Sequence, residues 1–302
     1  MIPLTTARVI KSTGSWYSVI DNNNNVSECR LRGKFRVKGI KSTNPVAVGD
    51  IIDFDPDTGL ITNIHKRKNH IIRKSTNLSK QSHIIAANID QAIIIVSLAK
   101  PRTSSGFIDR LLITAEAYHI PAIIVFNKID LLDEELESTL NNIISVYENA
   151  GYVCLQTSAK EGINLDKFKS LLHNKISLLA GHSGVGKSAL INTIDPQLDL
   201  KTGEISKYHS KGIHTTTFAE MFKLKSGGFI IDSPGIKEFG LIEFERPELG
   251  HRFPEFRKYI QDCKYNDCLH TNEPGCAIID AVKNEDISLM RYENYLNILE
   301  SI

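Results

Sequence analysis

One eight-residue run restricts what this 302-residue chain can fold into more than any other feature. It is Gly181-His182-Ser183-Gly184-Val185-Gly186-Lys187-Ser188, of the form G-x-x-x-x-G-K-S. It follows the apolar run 176–180, which reads as a buried strand, and precedes 187–193, which reads as a helix. The chemistry requires that context. Glycines let the backbone N–H groups wrap the α- and β-phosphates of a nucleotide, with the helix N-terminus behind them. Lys187 reaches the β- and γ-phosphates, and the Ser188 hydroxyl ligates Mg²⁺. The chain is expected to bind a nucleoside triphosphate with magnesium.

Other stretches indicate the base and the γ-phosphate chemistry. Asn127-Lys128-Ile129-Asp130 comes directly off the buried-type strand 122–126. An aspartate carboxylate there accepts both the N1–H and the exocyclic amino group of guanine, a pattern adenine cannot offer. Asn127 is expected to brace the loops and the Lys128 stem to cover the base. Ser158-Ala159-Lys160 follows the strand 152–156 and offers a backbone N–H to the guanine O6. Asp232-Ser233-Pro234-Gly235 ends an apolar strand and has the form D-x-x-G, so that Asp232 holds Mg²⁺ through water and the Gly235 N–H meets the γ-phosphate. Thr215, Thr216 and Thr217 leave open which hydroxyl reaches Mg²⁺; Thr216 is the first choice. Where a water-orienting Gln would follow D-x-x-G, the chain has Ile236, which predicts slow intrinsic hydrolysis. His214 is the nearest motif-linked side chain able to hydrogen-bond water, so His214, Thr216 and Lys187 form the expected catalytic set. Glu238 or a group supplied by RNA is the alternative to His214. An ATPase or kinase is the reading that Asp130 argues against.

The order of these motifs is unusual. A Ras-like chain runs phosphate loop, switch threonine, D-x-x-G, N-K-x-D, S-A-K, whereas here N-K-x-D and S-A-K come first. This is a circular permutation, which a compact domain tolerates because its termini commonly lie close together at the surface.

Around this core the pattern is that of a multidomain α/β protein. Residues 75–241 alternate strands and helices as in a doubly wound domain. Residues 1–74 read as about five short strands with turns, at 7–10, 16–20, 26–32, 50–54 and 60–64. A β-barrel of the OB-fold is the first choice there and an SH3-like barrel the alternative. The net charge of +1 hides an asymmetry, with 14 Lys/Arg against 6 Asp/Glu in residues 1–83. Arg30, Arg32, Lys34, Arg36, Lys38 and Lys41 contribute six of those cations, and such a basic module often meets nucleic acid. No apolar run approaches the roughly 20 residues of a membrane span, and the first residues lack the apolar core of a signal peptide. A cytoplasmic monomer without membrane contact is expected.

Residues 242–302 read as a small helical domain around Cys263, Cys268, His270 and Cys276, spaced C-x4-C-x-H-x5-C. Three thiolates and an imidazole are the ligand set of a tetrahedral structural zinc site, one ion per chain. Only Cys29 and Cys154 lie outside the cluster.

Taken together, the basic OB-like N-terminus, the permuted set N-K-I-D, T-S-A-K, G-H-S-G-V-G-K-S, H-T-T-T and D-S-P-G, and the Cys/His tail resemble the bacterial small-subunit-dependent GTPase family RsgA, also called YjeQ or YloQ. The resemblance covers nearly the whole chain. It implies a GTPase that acts late in maturation of the small (30S) ribosomal subunit, binds that subunit's rRNA, and hydrolyses GTP to GDP with stimulation by the subunit. Ala189 stands where many members have a second Ser, and its N–H still serves the phosphates. A GTP-regulated RNA-binding module with incidental hydrolysis is the competing reading, and turnover with and without small subunits separates the two.

Overall fold

The computed structural model describes residues 4–31, 45–74, 82–200, 219–232 and 245–302. It forms two compact units, Met1–Gln91 with Lys169–Leu179 and Asp195–Gly240, and Ala92–Phe168 with Ala180–Ile194 and Leu241–Ile302.

The first unit begins with a closed barrel of β1 (Thr5–Ser12), β2 (Trp16–Asp21), β3 (Val26–Leu31), β4 (Ile51–Asp55) and β5 (Leu60–Ile64). Each strand alternates inward apolar and outward polar residues, so Ala7, Val9, Tyr17, Val19, Cys29, Ile52, Phe54 and Ile61 fill one core. β1 pairs with β2 and β2 with β3, both antiparallel; β3 runs parallel to β5; β5 pairs with β4; and β4 closes onto β1 from Thr5↔Phe54 to Arg8↔Ile51. That order, with its parallel β3–β5 pair, is the OB-fold and not the SH3-like alternative. Arg67 ties the chain beyond the barrel back to it through two 2.6 Å bonds to the buried Asp50 carboxylate.

β6 (His70–Lys74) and β7 (Ser82–Ala87) then form an antiparallel pair. Both are short and carry His or basic residues, which hides their alternation. The unit also contains the parallel pair β11 (Ile176–Ala180) and β13 (Phe229–Asp232), with β12 (Glu220–Lys223) antiparallel to β13. β12 reaches the barrel at Lys11↔Glu220, where the two side chains form an exposed 3.0 Å ion pair.

The second unit is built on three parallel strands, β8 (Gln91–Val96), β9 (Ala122–Asn127) and β10 (Val153–Thr157), joined by α1 (Ser105–Ala117) and α2 (Glu134–Asn149). β8 is buried along its whole length, the signature of a strand covered on both faces. Ser104 caps α1 by accepting from the Phe107 N–H, and Asp133 caps α2 by accepting from the Leu136 N–H. α3 (Leu165–Leu172) precedes β11, and α4 (Lys187–Ile194) follows it across the glycine loop. The C-terminal segment contributes short 3-10 turns, α5 (Ala277–Lys283) and α6 (Leu289–Glu300), packed around Phe253, Phe256, Tyr295 and Ile298 together with Ile113 of α1. No described helix is long and apolar enough to cross a membrane.

Candidate functional site

The phosphate loop leaves β11 at Gly181 in a conformation reserved for glycine. Its φ is +137°, and a Cβ there would lie 2.1 Å from the Ile95 carbonyl oxygen. The loop can therefore lie flat against β8. At its far end α4 begins, with Ser188 buried in the first turn and Ala189 half-buried behind it. Lys187 donates to the carbonyls of Gly181 and His182, each at 2.7 Å, so its ammonium spans the loop mouth. Ser183 and Gly184 are exposed and Val185 is fully buried, which anchors the loop by one side chain and leaves its backbone open.

Asn127 joins this loop to the other two motifs. It is the last residue of β9 and is buried. Its Nδ2 donates to the Val185 carbonyl at 2.9 Å, and its Oδ1 accepts from Thr157 Oγ1 at 3.2 Å and from the Ala159 N–H at 3.3 Å. One amide thereby uses both its donor and acceptor ends to hold N-K-x-D, S-A-K and the phosphate loop together. Beyond it Lys128 adopts a left-handed conformation, φ +67°, and its Nζ donates to the Lys100 carbonyl at 2.7 Å. Ile129 and Asp130 follow in a 3-10 turn. Ser158 Oγ donates to Asp130 Oδ1 at 2.5 Å, which fixes the carboxylate's rotation. Lys160 stays exposed, paired with Glu161 at 3.3 Å.

Sequence reasoning missed the segment that supports the loop from outside. The Phe107 ring stacks on His182 with centroids 3.6 Å apart and planes 20° from parallel. Pro101 lies against Gly184, its Cδ 3.4 Å from where a Cβ would stand. Burial and the nearby Lys187 charge push the His182 imidazole below its ordinary pKa. No motif announces Phe107 or Pro101. Asp232 ends β13. His214, Thr215, Thr216, Thr217, Gly235, Ile236 and Glu238 lie outside the described residues, as do Arg32, Lys34, Arg36, Lys38 and Lys41.

The second constellation is complete. The ligand atoms of Cys263, Cys268, His270 and Cys276 all lie within 4.8 Å of one another. His270 presents Nδ1, 3.6 Å from Cys263 Sγ and 3.4 Å from Cys276 Sγ. Tetrahedral zinc with sulfur at about 2.3 Å needs ligand edges of just under 4 Å, so this donor set fits the ion. Burial pushes the Cys268 thiol up to about 12, so buried thiolates here require a cation among them. Glu273 shapes the turn between ligands. Burial raises its carboxyl, but N–H donors including those of Leu269, Thr271 and Asn272 prevail and hold it at about 2. Tyr292 and Tyr295 donate to the carbonyls of His270 and Leu269, each at 2.7 Å.

The chain is similar to known proteins over nearly its whole length. The RsgA GTPase family model matches residues 64–242, and the RsgA N-terminal domain model matches residues 6–61. The small ribosomal subunit biogenesis GTPase RsgA 2 of Bacteroides thetaiotaomicron is 54% identical over 295 residues, covering 97% of this chain and 95% of that protein. The small ribosomal subunit biogenesis GTPase RsgA of Christiangramia forsetii is 53% identical over 298 residues, with coverage of 97% and 95%. Among solved structures, YjeQ from Thermotoga maritima matches with a TM-score of 0.82 and 33% identity, covering 99% of this chain and 98% of that one. YloQ, a circularly permuted GTPase, matches with a TM-score of 0.77 and 30% identity, covering 99% and 95%.

Proposed function

The chain belongs to the RsgA GTPase family, and on that footing we propose that it binds GTP on residues 127–130, 158–160 and 181–189 and hydrolyses it during biogenesis of the small ribosomal subunit. The observation that carries this reading is the Asn127 joint, which makes three sequence-distant motifs one surface. Asp130 reads the guanine edge, and Ser158, Ala159 and Lys160 close over the base. The loop 181–186 cradles the phosphates, Lys187 exchanges its two carbonyl partners for β- and γ-oxygens, and Ser188 ligates Mg²⁺. Thr216 completes the magnesium shell and His214 orients the attacking water; Asp232 and Gly235 respond to the γ-phosphate.

Three functional parts follow: an RNA-contacting barrel in residues 1–74, a GTPase domain in 75–241, and a zinc-bearing domain in 242–302. Cys263, Cys268, His270 and Cys276 hold one zinc ion, whose contribution is structural because all four positions are protein ligands. The protein acts as a cytoplasmic monomer on the small subunit and its rRNA, and the subunit stimulates hydrolysis by bringing His214 to the γ-phosphate.

Base reading is tested by Asp130→Asn. The substitution replaces an acceptor with a donor opposite the guanine N1–H. GDP affinity is expected to fall about ten- to hundred-fold while xanthosine diphosphate gains, read by competition with a fluorescent nucleotide. Unchanged preference for guanine would remove this loop from the site.

A further inference from the structure

The phosphate loop is supported by a helix that belongs to no nucleotide-binding motif. Phe107, in the first turn of α1, covers the His182 ring at stacking distance. The His182 carbonyl is one of the two that hold Lys187, so the stacked residue sits between the helix and the phosphate-binding lysine. Three residues ahead of α1's N-cap, Pro101 meets Gly184, and Lys100 receives the Lys128 ammonium. The segment 100–107 thus touches the phosphate loop at two residues and the base loop at one.

The helix that presents Phe107 is itself fixed. Asp109, two residues on, is fully buried and is bonded to Arg291, to Asn294 Nδ2 at 2.7 Å and to the Tyr147 hydroxyl at 2.9 Å. Arg291 is in turn gripped by both oxygens of Glu255 and lies over the Phe253 ring at 4.6 Å. Phe107 therefore stands on a helix whose first turns cannot rotate without breaking a buried ion cluster.

We infer that Phe107 is a positioning residue for nucleotide binding, acting through His182 to hold the phosphate loop in its binding shape. The inference rests on the loop's assignment as the phosphate site. A loop held in one conformation gives up less entropy when phosphate docks, so losing the clamp weakens binding without removing any ligand contact. An aromatic stack of this geometry corresponds to about two- to ten-fold in affinity.

The test measures fluorescent GDP binding to the full chain. Phe107→Ala is expected to weaken it about two- to ten-fold. Phe107→Tyr, which preserves the stack, restores it. His182→Ala loses a similar factor, and the double variant is no weaker than the worse single one, as for two partners of one interaction. Phe107→Ala binding GDP as tightly as wild type, or losses that multiply in the double variant, would overturn the inference. The His182 ring-proton shifts, measured without nucleotide, report the stack directly: they move on Phe107→Ala if the rings are stacked and stay put if they are not. If wild type fails to bind GDP while those shifts respond, the phosphate-site reading fails and the stack itself stands.

Discussion

At Gly186 the backbone adopts φ +98°, and a Cβ there would lie 2.3 Å from Asn127 Nδ2. The amide has nowhere to go, because its two ends are committed to Val185, Thr157 and Ala159. Gly186→Ala is therefore expected to lower GDP affinity at least tenfold, by about the strain of one forbidden backbone position plus displacement of Asn127. Gly151→Ala is the control, with a similar φ of +94° but nothing within 4 Å; it should bind GDP normally in the same titration. Residues of this kind were legible in the sequence because phosphate chemistry fixes residue type at fixed spacing. Gly181 and Gly186, which both take a positive φ, can be named from spacing alone. Phe107 cannot, since stacking on His182 needs only a flat ring at the right place and leaves no pattern.

Among the elements, α1 has the least predictable partner. Its apolar spacing indicates a buried face, but nothing marks Asp109 as the centre of an ion cluster. Its partner Arg291 lies 182 residues away, in the C-terminal helix α6. Breaking such a pair from one side leaves uncompensated buried charge, which costs about 3–5 kcal/mol. Arg291→Met should lower Tm by about 10 °C. The pH dependence has a definite sign. Burial raises the Asp109 carboxyl, with Arg291, Asn294 and Tyr147 opposing it and the net direction upward. A carboxyl raised on folding is protonated in the fold where the unfolded chain is ionised, so its contribution to stability falls as pH rises through that window. Removing Arg291 removes the largest opposing charge and raises it further. The Tm gap between Arg291→Met and wild type should accordingly be smaller near about pH 5 than near about pH 8 in thermal scans; an equal or wider gap at the acid end would contradict the cluster's assignment. The barrel shows the opposite case. All five of its strands could be read from alternation and turns, whereas β6 and β7 could not, because polar residues (His70, Arg73 and Lys74 in β6, Ser82 and His83 in β7) interrupt patterns only five or six residues long.

For the whole molecule, permutation changes which parts of the chain are covalently adjacent. The N-K-x-D and S-A-K motifs precede G-x-x-x-x-G-K-S, and D-x-x-G at 232–235 leads into the segment bearing the Cys/His cluster. That order was readable because each motif is local, so rearranging them leaves every one intact. The expectation of activation by a partner rests only on Ile236 standing where a water-orienting side chain is expected. On the proposed reading, the chain's own residues grip the nucleotide and the small subunit supplies what hydrolysis still needs. Phosphate release from GTP, followed with purified small ribosomal subunits, with large subunits and with neither, tests this most directly. The expected result is slow release from the protein alone, at least about a tenfold rise with small subunits, and no rise with large ones. A GTP turnover rate indifferent to small subunits would contradict it.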